Sequence, residues 1–137
     1  MVYLKPPGFT RHVVNPVVGK LRTGGVEQLT VTGRRTGQPR HVPVIPVQVG
    51  PRRYLVAPFG ESDWVQNLRA AGEGELHGHG GPERFVAREV PVDQRAQIIA
   101  DYRKIAGRSV KRCFRSLPDP HDHPVFEVQP RLEATQR

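Results

Sequence analysis

Apolar and polar positions alternate from Val26 to Thr32, where Leu29 and Val31 are separated by polar neighbours, and a period of two predicts a strand with one buried face. A second alternating run, His41 to Val49, interleaves valines with Pro43 and Pro46. Prolines cannot donate to a ladder, so this strand is expected at an edge or against a ligand. Arg53 to Ala57 predicts a third, short strand. After Ala57-Pro58-Phe59-Gly60 the period changes to that of a helix, with Ser62 or Asp63 as cap, Trp64, Leu68 and Ala71 on one face and Gly72 as the stop. Glu75 to Gly80 and Glu83 to Pro91 predict a hairpin around Gly80-Gly81-Pro82. A helix capped by Asp93 then turns Ile98, Ile99, Tyr102 and Ile105 inward and ends near Gly107, Val125 to Val128 forms a last strand, and the residues from Arg131 onward fray.

Short antiparallel strands with a helix after the third do not follow the regular βαβ alternation of a doubly wound fold. They predict a mainly β fold, a small barrel with helices at its rim. The 137 residues make one domain, with an N-terminal segment over 1–25 and the barrel and helices over 26–130. In that segment Phe9, Val13, Val14, Val17, Val18 and Leu21 recur at helical spacing beside Lys5, Arg11, Lys20 and Arg22. It reads as a cover for a core edge or cleft, with a reversible peripheral contact at a membrane surface as the alternative.

Charge narrows the partners. Lys and Arg number 21 against 13 Asp and Glu, a formal charge of +8, which favours an anionic ligand, polyanion or lipid surface over a cation. The aromatics Phe59, Trp64, Phe85, Tyr102 and Phe114 are scattered rather than interleaved with lysines, so no stacking surface for nucleic acid is expected. Cys113 is the single cysteine, which excludes an internal disulfide and a cysteine zinc cluster and fits a reducing, cytoplasmic setting. His77 and His79 share a strand face and His121-Asp122-His123 lies near the end, but no third element ties these groups into a metal site. Neither paired carboxylates for acid–base work nor a glycine-rich phosphate loop ending in Lys-Ser/Thr is present.

The stretch richest in chemistry is Thr32-Gly33-Arg34-Arg35-Thr36-Gly37-Gln38-Pro39-Arg40. Two glycines expose backbone N–H groups beside planar guanidinium forks and a hydroxyl, which suits a phosphate. The same turn also serves as a solvated hairpin loop, and turn chemistry alone does not decide between the two.

Leu29 to Arg40, then Pro43, then Val56-Ala57-Pro58-Phe59-Gly60, then Trp64-Val65-Gln66-Asn67-Leu68-Arg69-Ala70 resemble in order the deazaflavin-dependent nitroreductase family. The resemblance implies an FMN-binding-type split β-barrel and an oxidoreductase using coenzyme F420, an 8-hydroxy-5-deazaflavin with a phosphate and an acidic tail, in preference to FMN. It implies that Arg34, Arg35 and Thr36 meet the phosphate and tail, and that Arg40, His41, Val42, Pro43, Val44 and Ile45 run along the deazaflavin. Val56, Ala57, Pro58 and Phe59, with Asp63, Trp64, Val65, Gln66 and Asn67, would frame the rest. Two places depart from the family's pattern. Phe59 stands where a lysine is expected, and Gly107 to Arg115 lacks the tyrosines that surround the substrate.

The expected reaction is hydride transfer from the reduced deazaflavin to a small, apolar, unsaturated acceptor, with no protein nucleophile. Tyr102, Ser109 or water could supply the following proton, and the sequence does not choose among them. A non-catalytic carrier of deazaflavin or fatty acid and a basic nucleic-acid-binding module are the competing readings.

Overall fold

Leu29, Val31, Leu76 and Phe85 are buried between more exposed strand neighbours, while Leu55 and Phe126 lie where β-strands are buried on both faces, so these strands must share an apolar interior. The structure, a computed structural model, describes residues 25–78 and 80–131. The amphipathic N-terminal segment, His79 and the residues after Arg131 lie outside them.

The described chain forms strands β1 (Glu27–Thr32), β2 (Pro39–Val44), β3 (Val47–Val49) and β4 (Arg52–Val56), helix α1 (Asp63–Ala71), and strands β5 (Glu73–Gly78) and β6 (Gly81–Glu89). Helices α2 (Ala96–Ala106) and α3 (Arg108–Ser116) and strand β7 (Val125–Pro130) follow, with short 3-10 turns at Val92–Gln94 and Pro120–Asp122. All seven strands join one antiparallel sheet in the order β2-β1-β5-β6-β7-β4-β3.

The expected single strand from His41 to Val49 is therefore two strands at opposite edges of the sheet, parted at Ile45-Pro46. Pro46 cannot donate a ladder bond and restricts Ile45 before it. Seven strands laid flat would set their edges roughly 29 Å apart. The chain from Val44 to Val47 reaches at most about 11 Å. The sheet is thus forced to curl on itself, with an open seam where β2 and β3 face without pairing. This is the split barrel that the sequence resemblance implied.

Two apolar clusters fill the fold. Leu29, Val31, Leu55, Val65, Leu68, Leu76, Phe85, Phe126 and Val128 pack inside the curl beneath α1. Val47, Val56, Val90, Ile98, Ile99, Tyr102, Val110, Cys113, Phe114 and Val125 pack on the other side, under α2 and α3. β4 and β7 serve both clusters with alternate residues, Leu55 against Val56 and Phe126 against Val125.

Some expected details change. Asp93 does not cap α2; it lies in the 3-10 turn, and Arg95 precedes the helix. Arg95 is buried and donates to the carbonyls of Val90, Pro120, His121 and His123, holding the start of α2 against the chain entering β7. Ala71 is exposed, so the buried stripe of α1 consists of Val65, Asn67 and Leu68 with Trp64 half-buried. Gly72, at φ 75°, ends that helix by donating to Leu68. Gly107 to Arg115, unassigned in the sequence reading, belongs to the turn and helix that follow α2.

The middle of the sheet also holds a carboxylate. Glu127 on β7 is 3% exposed and accepts from Arg52 at 2.9 Å and from Arg88 at 2.9 and 3.1 Å. Burial alone would raise its pKa; hydrogen bonds from Arg88 and Gln129 and the charges of Arg52 and Arg88 outweigh that and hold it below the ordinary glutamate value. A depressed folded pKa contributes stability that is complete above the unfolded value, about 4.3, and is lost as pH falls through the folded one. Glu127→Gln is accordingly expected to lower unfolding free energy at pH 7 by about 1–3 kcal/mol. In urea titrations repeated at falling pH, the gap between variant and wild type should narrow below about pH 4. A gap independent of pH would contradict this account.

Candidate functional site: a two-part cavity at the barrel seam

The turn between β1 and β2 is tightly closed. Gly33 donates to Gln38 at 2.8 Å, Gly37 donates to Gly33 at 2.9 Å, and Gln38 N–H donates to the Thr36 hydroxyl at 3.1 Å. Gly37 stands at φ 75°, a conformation that side chains resist. The turn is held from α1 by Asn67, which is 5% exposed. Its Oδ1 accepts from the backbone N–H of Arg34 at 3.0 Å and from Arg34 Nη1 at 2.7 Å. Arg34 also lies 3.6 Å from Asp63, whose carboxylate is 78% exposed and contributes little in water.

Around this turn is a cavity of about 150 Å³, lined by Gly33, Arg34, Arg35, Thr36, Arg40, Asp63 and Asn67. Three guanidinium groups face one carboxylate there. Arg35 and Arg40 are exposed and form no ion pair among the described residues, so their charge is available to a ligand.

Arg40, Asp63 and Asn67 also border a larger cavity of about 240 Å³. Its walls are β2 and its exit (His41, Val42, Pro43, Val44 and Ile45), the end of β4 and the following turn (Val56, Pro58 and Phe59), and the start of α1 (Ser62 and Trp64). Val26, Val31, Tyr102, Ser109 and Val110 complete it. The lining is mostly apolar, and the cavity runs along β2 to the Ile45 crossing, facing the end of β4, the turn into α1 and residues of α2 and α3. β2 carries Pro39 and Pro43, which remove N–H donors from this edge strand and discourage pairing with another chain.

Fifteen of the eighteen candidate residues thus meet around two adjoining cavities. Ala57, Val65 and Gln66 line neither. Ala57 and Val65 are buried in the barrel core. Ala57 donates to Pro124 and accepts from His123, and the Gln66 side chain donates to the carbonyl of Glu61. Trp64 is half-buried, borders the cavity and lies 6.2 Å from the Phe126 ring. His41 borders it too, with its ring Nδ1 bonded to the Gln28 and Thr30 side chains.

Four lining residues had no such role in the sequence reading: Ser62, read as a cap, Val26 and Val31, read as strand residues, and Val110, in a stretch left without an element. The spacing of Val110, Cys113 and Phe114 at i, i+3 and i+4 was the available signal for α3. Tyr102 is buried, and burial followed by the nearby Cys113 pushes its phenol well above the ordinary tyrosine value, so it stays neutral. Cys113 is itself buried, and burial pushes its thiol up. His123 is fully buried and stacked on Phe114, its nitrogens 2.8 and 2.5 Å from the carbonyls of Ala57 and Leu117. Among the described residues no cluster of three metal-ligating side chains forms, and no helix is long and apolar enough to cross a membrane.

A curled antiparallel sheet whose edges meet without pairing, with an apolar cavity and an arginine pocket along β2, defines a split barrel. Solved structures similar to it include an F420-H2 dependent reductase (22% identity over 76% of this chain and 93% of that one, TM-score 0.52). An F420 reductase (14%, 82% and 90%, TM-score 0.56) and an FAD-binding protein from Mesorhizobium loti (15%, 89% and 90%, TM-score 0.54) are also similar. Residues 8–112 match the family model described as F420H2-dependent quinone reductase, and the chain belongs to that family. No curated protein matches the sequence.

The protein is accordingly an oxidoreductase whose cofactor is coenzyme F420. The residues present fit that group. Arg35 and Arg40, unpaired among the described residues, suit an anionic arm, and the adjoining apolar walls suit a flat ring system.

The support that Asn67 gives the arginine turn is directly measurable. Asn67→Ala should lower stability by about 1–3 kcal/mol, because it leaves the Arg34 N–H without its partner, and hydrogen exchange at the Arg34 amide should accelerate. Asn67→Asp, which keeps an acceptor in place, should restore slow exchange. Unchanged exchange in Asn67→Ala would remove Asn67 from this role.

Proposed function

We propose that the protein transfers a hydride from reduced coenzyme F420 to a small, apolar, unsaturated acceptor, with quinones as the first class to test. The observation that carries this reading is the joining of an arginine-lined pocket to an apolar cavity through three shared residues, Arg40, Asp63 and Asn67. One ligand with a charged arm and a flat body would fill both, and a second flat molecule would find apolar walls at the Phe59, Tyr102 and Val110 end.

In this reading Arg34, Arg35, Thr36 and Arg40 bind the phosphate and acidic tail by charge-assisted hydrogen bonds. Asn67 keeps Arg34 oriented while Arg35 and Arg40 supply free charge. Val42, Pro43, Val44 and Ile45 form one wall for the ring, and Val56, Pro58, Phe59 and Trp64 the opposite one. The reduced coenzyme supplies the hydride from its own ring. The chain's part is to hold two flat molecules in contact and exclude water. Tyr102 and Ser109 border the acceptor end. The Ser109 hydroxyl already donates to the carbonyl of Ala106 at 2.7 Å, and burial makes the Tyr102 phenol a weaker acid than usual, so water reaching that end is the third candidate for the proton.

Binding can be read from the fluorescence of Trp64, the chain's single tryptophan. Replacing Arg35 and Arg40 together with alanine should weaken coenzyme binding by about 2–4 kcal/mol and leave circular dichroism unchanged, since neither holds the fold. Equal affinity for wild type and double variant would refute the tail assignment.

Turnover separates enzyme from carrier. Reduced coenzyme mixed with quinones, enones and nitroaromatics should lose its reduced-form absorbance only when protein and an acceptor are both present. Saturable coenzyme binding with no loss across the panel would replace this reading by that of a carrier.

A further inference from the structure

Ser62 closes the turn that leads from β4 into α1. Its backbone is fully used: its N–H donates to Gly60 at 2.7 Å, and its carbonyl accepts from Gln66 at 3.2 Å. Its hydroxyl has no partner. Among the described residues, Ser62 Oγ is the one buried side-chain nitrogen or oxygen without a hydrogen bond, and the residue is 5% exposed.

A serine at this position has a local remedy, since it can accept from an N–H in the first turn of the helix it precedes. Here its backbone is extended as a cap requires, yet no such bond forms. The residue borders the larger cavity and not the arginine pocket. It also sits at the positive end of α1, where the first N–H groups lack intrahelical acceptors. Asp63 does not fill the place: its carboxylate is exposed and paired with Arg34. A buried, unpaired hydroxyl beside a positive helix end, in a wall of valine, isoleucine and phenylalanine, is suited to an electron-rich oxygen of a flat ligand.

We infer that Ser62, by turning its hydroxyl from this closed-off position to another staggered rotamer, donates a hydrogen bond from Oγ to a ring or carbonyl oxygen of the molecule held in the apolar cavity, and so fixes that molecule's orientation. The inference rests on the reading of the cavity given above. The oxygen has two sources of the same chemistry, the ring of the coenzyme and the carbonyl of an acceptor.

Two titrations distinguish them without turnover. Oxidised coenzyme F420 is titrated into the full chain, followed by Trp64 quenching, and menadione is then titrated into the complex, followed by the fluorescence of the bound coenzyme. Ser62→Ala should raise one of the two dissociation constants about three- to tenfold, the range of one lost neutral hydrogen bond, and Ser62→Thr should bring it back. A shift in the coenzyme titration assigns the bond to the ring; a shift with menadione alone assigns it to the acceptor. If Ser62→Ala does not fold, Ser62→Cys, which keeps the shape and substitutes a weak donor, takes its place with the same expectation.

Both constants unchanged would overturn the inference and leave Ser62 as a cap. Should wild type bind coenzyme but not menadione, the quinone reading fails by itself. The coenzyme titration then decides Ser62 alone.

Discussion

Everything functional in this chain depends on the passage of two residues, Ile45 and Pro46, from one edge of the sheet to the other. Neighbouring strands keep their usual separation, so a seven-stranded sheet can meet a connection this short only by curling. Curling creates the interior that Leu29, Leu55, Phe85 and Phe126 fill. It stops short of closure because β2 and β3 do not pair. The apolar cavity lies along the β2 side of that opening, where Ile45, the end of β4, the turn into α1 and residues of α2 and α3 wall it. Pro46 is itself buried, so the crossing is part of the packed structure and not a loop thrown over it.

The cavity is held by elements that have other work in the fold. α1 buries Val65 and Leu68 in the barrel and, from the same stripe, sends Asn67 to the arginine turn. The helix that completes the core therefore also sets the geometry of the arginine-lined pocket. Arg69 on its exposed face bonds both Glu61 and Glu89, tying the start of the helix to β6. The hydrogen bond to Glu89, with the added one to Glu61, outweighs desolvation and raises the Arg69 pKa, while the bond from Arg69 lowers that of Glu89. Charges outside the cavity lining thus steady the turn that carries Ser62.

Local features were legible in the sequence because their causes are local. The alternation of Leu29 and Val31, the glycine stop after α1 and the crowding of Arg34, Arg35 and Arg40 around two glycines each act within a few residues. The ordered resemblance from Leu29 to Ala70 extended this to the fold and the cofactor. What could not be read depends on distance along the chain. The run from His41 to Val49 looks like one strand, since nothing within it states that its halves belong to opposite edges. α3 was hidden by Arg108, Lys111, Arg112 and Arg115, which mask the Val110, Cys113 and Phe114 stripe. Ala57 and Val65 alternate with residues that do line the cavity, so a contiguous assignment carried them along although they face the core. The Ser62 hydroxyl is invisible to sequence for another reason: a serine before a helix is expected to cap it, and only the three-dimensional arrangement shows it unpaired.

His123 joins Ala57 at the cavity's wall turn to Leu117 just after α3, with its ring wedged on Phe114. One imidazole therefore acts as a spacer between two elements that border the cavity, α3 contributing Ser109 and Val110 and the turn contributing Pro58 and Phe59. Because the spacer fixes their separation, side chains at these four positions can be exchanged without resetting the width of the opening. The fold is in this sense partitioned: Asn67 and the arginine turn hold one end of the cavity in a fixed geometry, while the wall at Pro58, Phe59, Ser109 and Val110 can change shape with the skeleton intact.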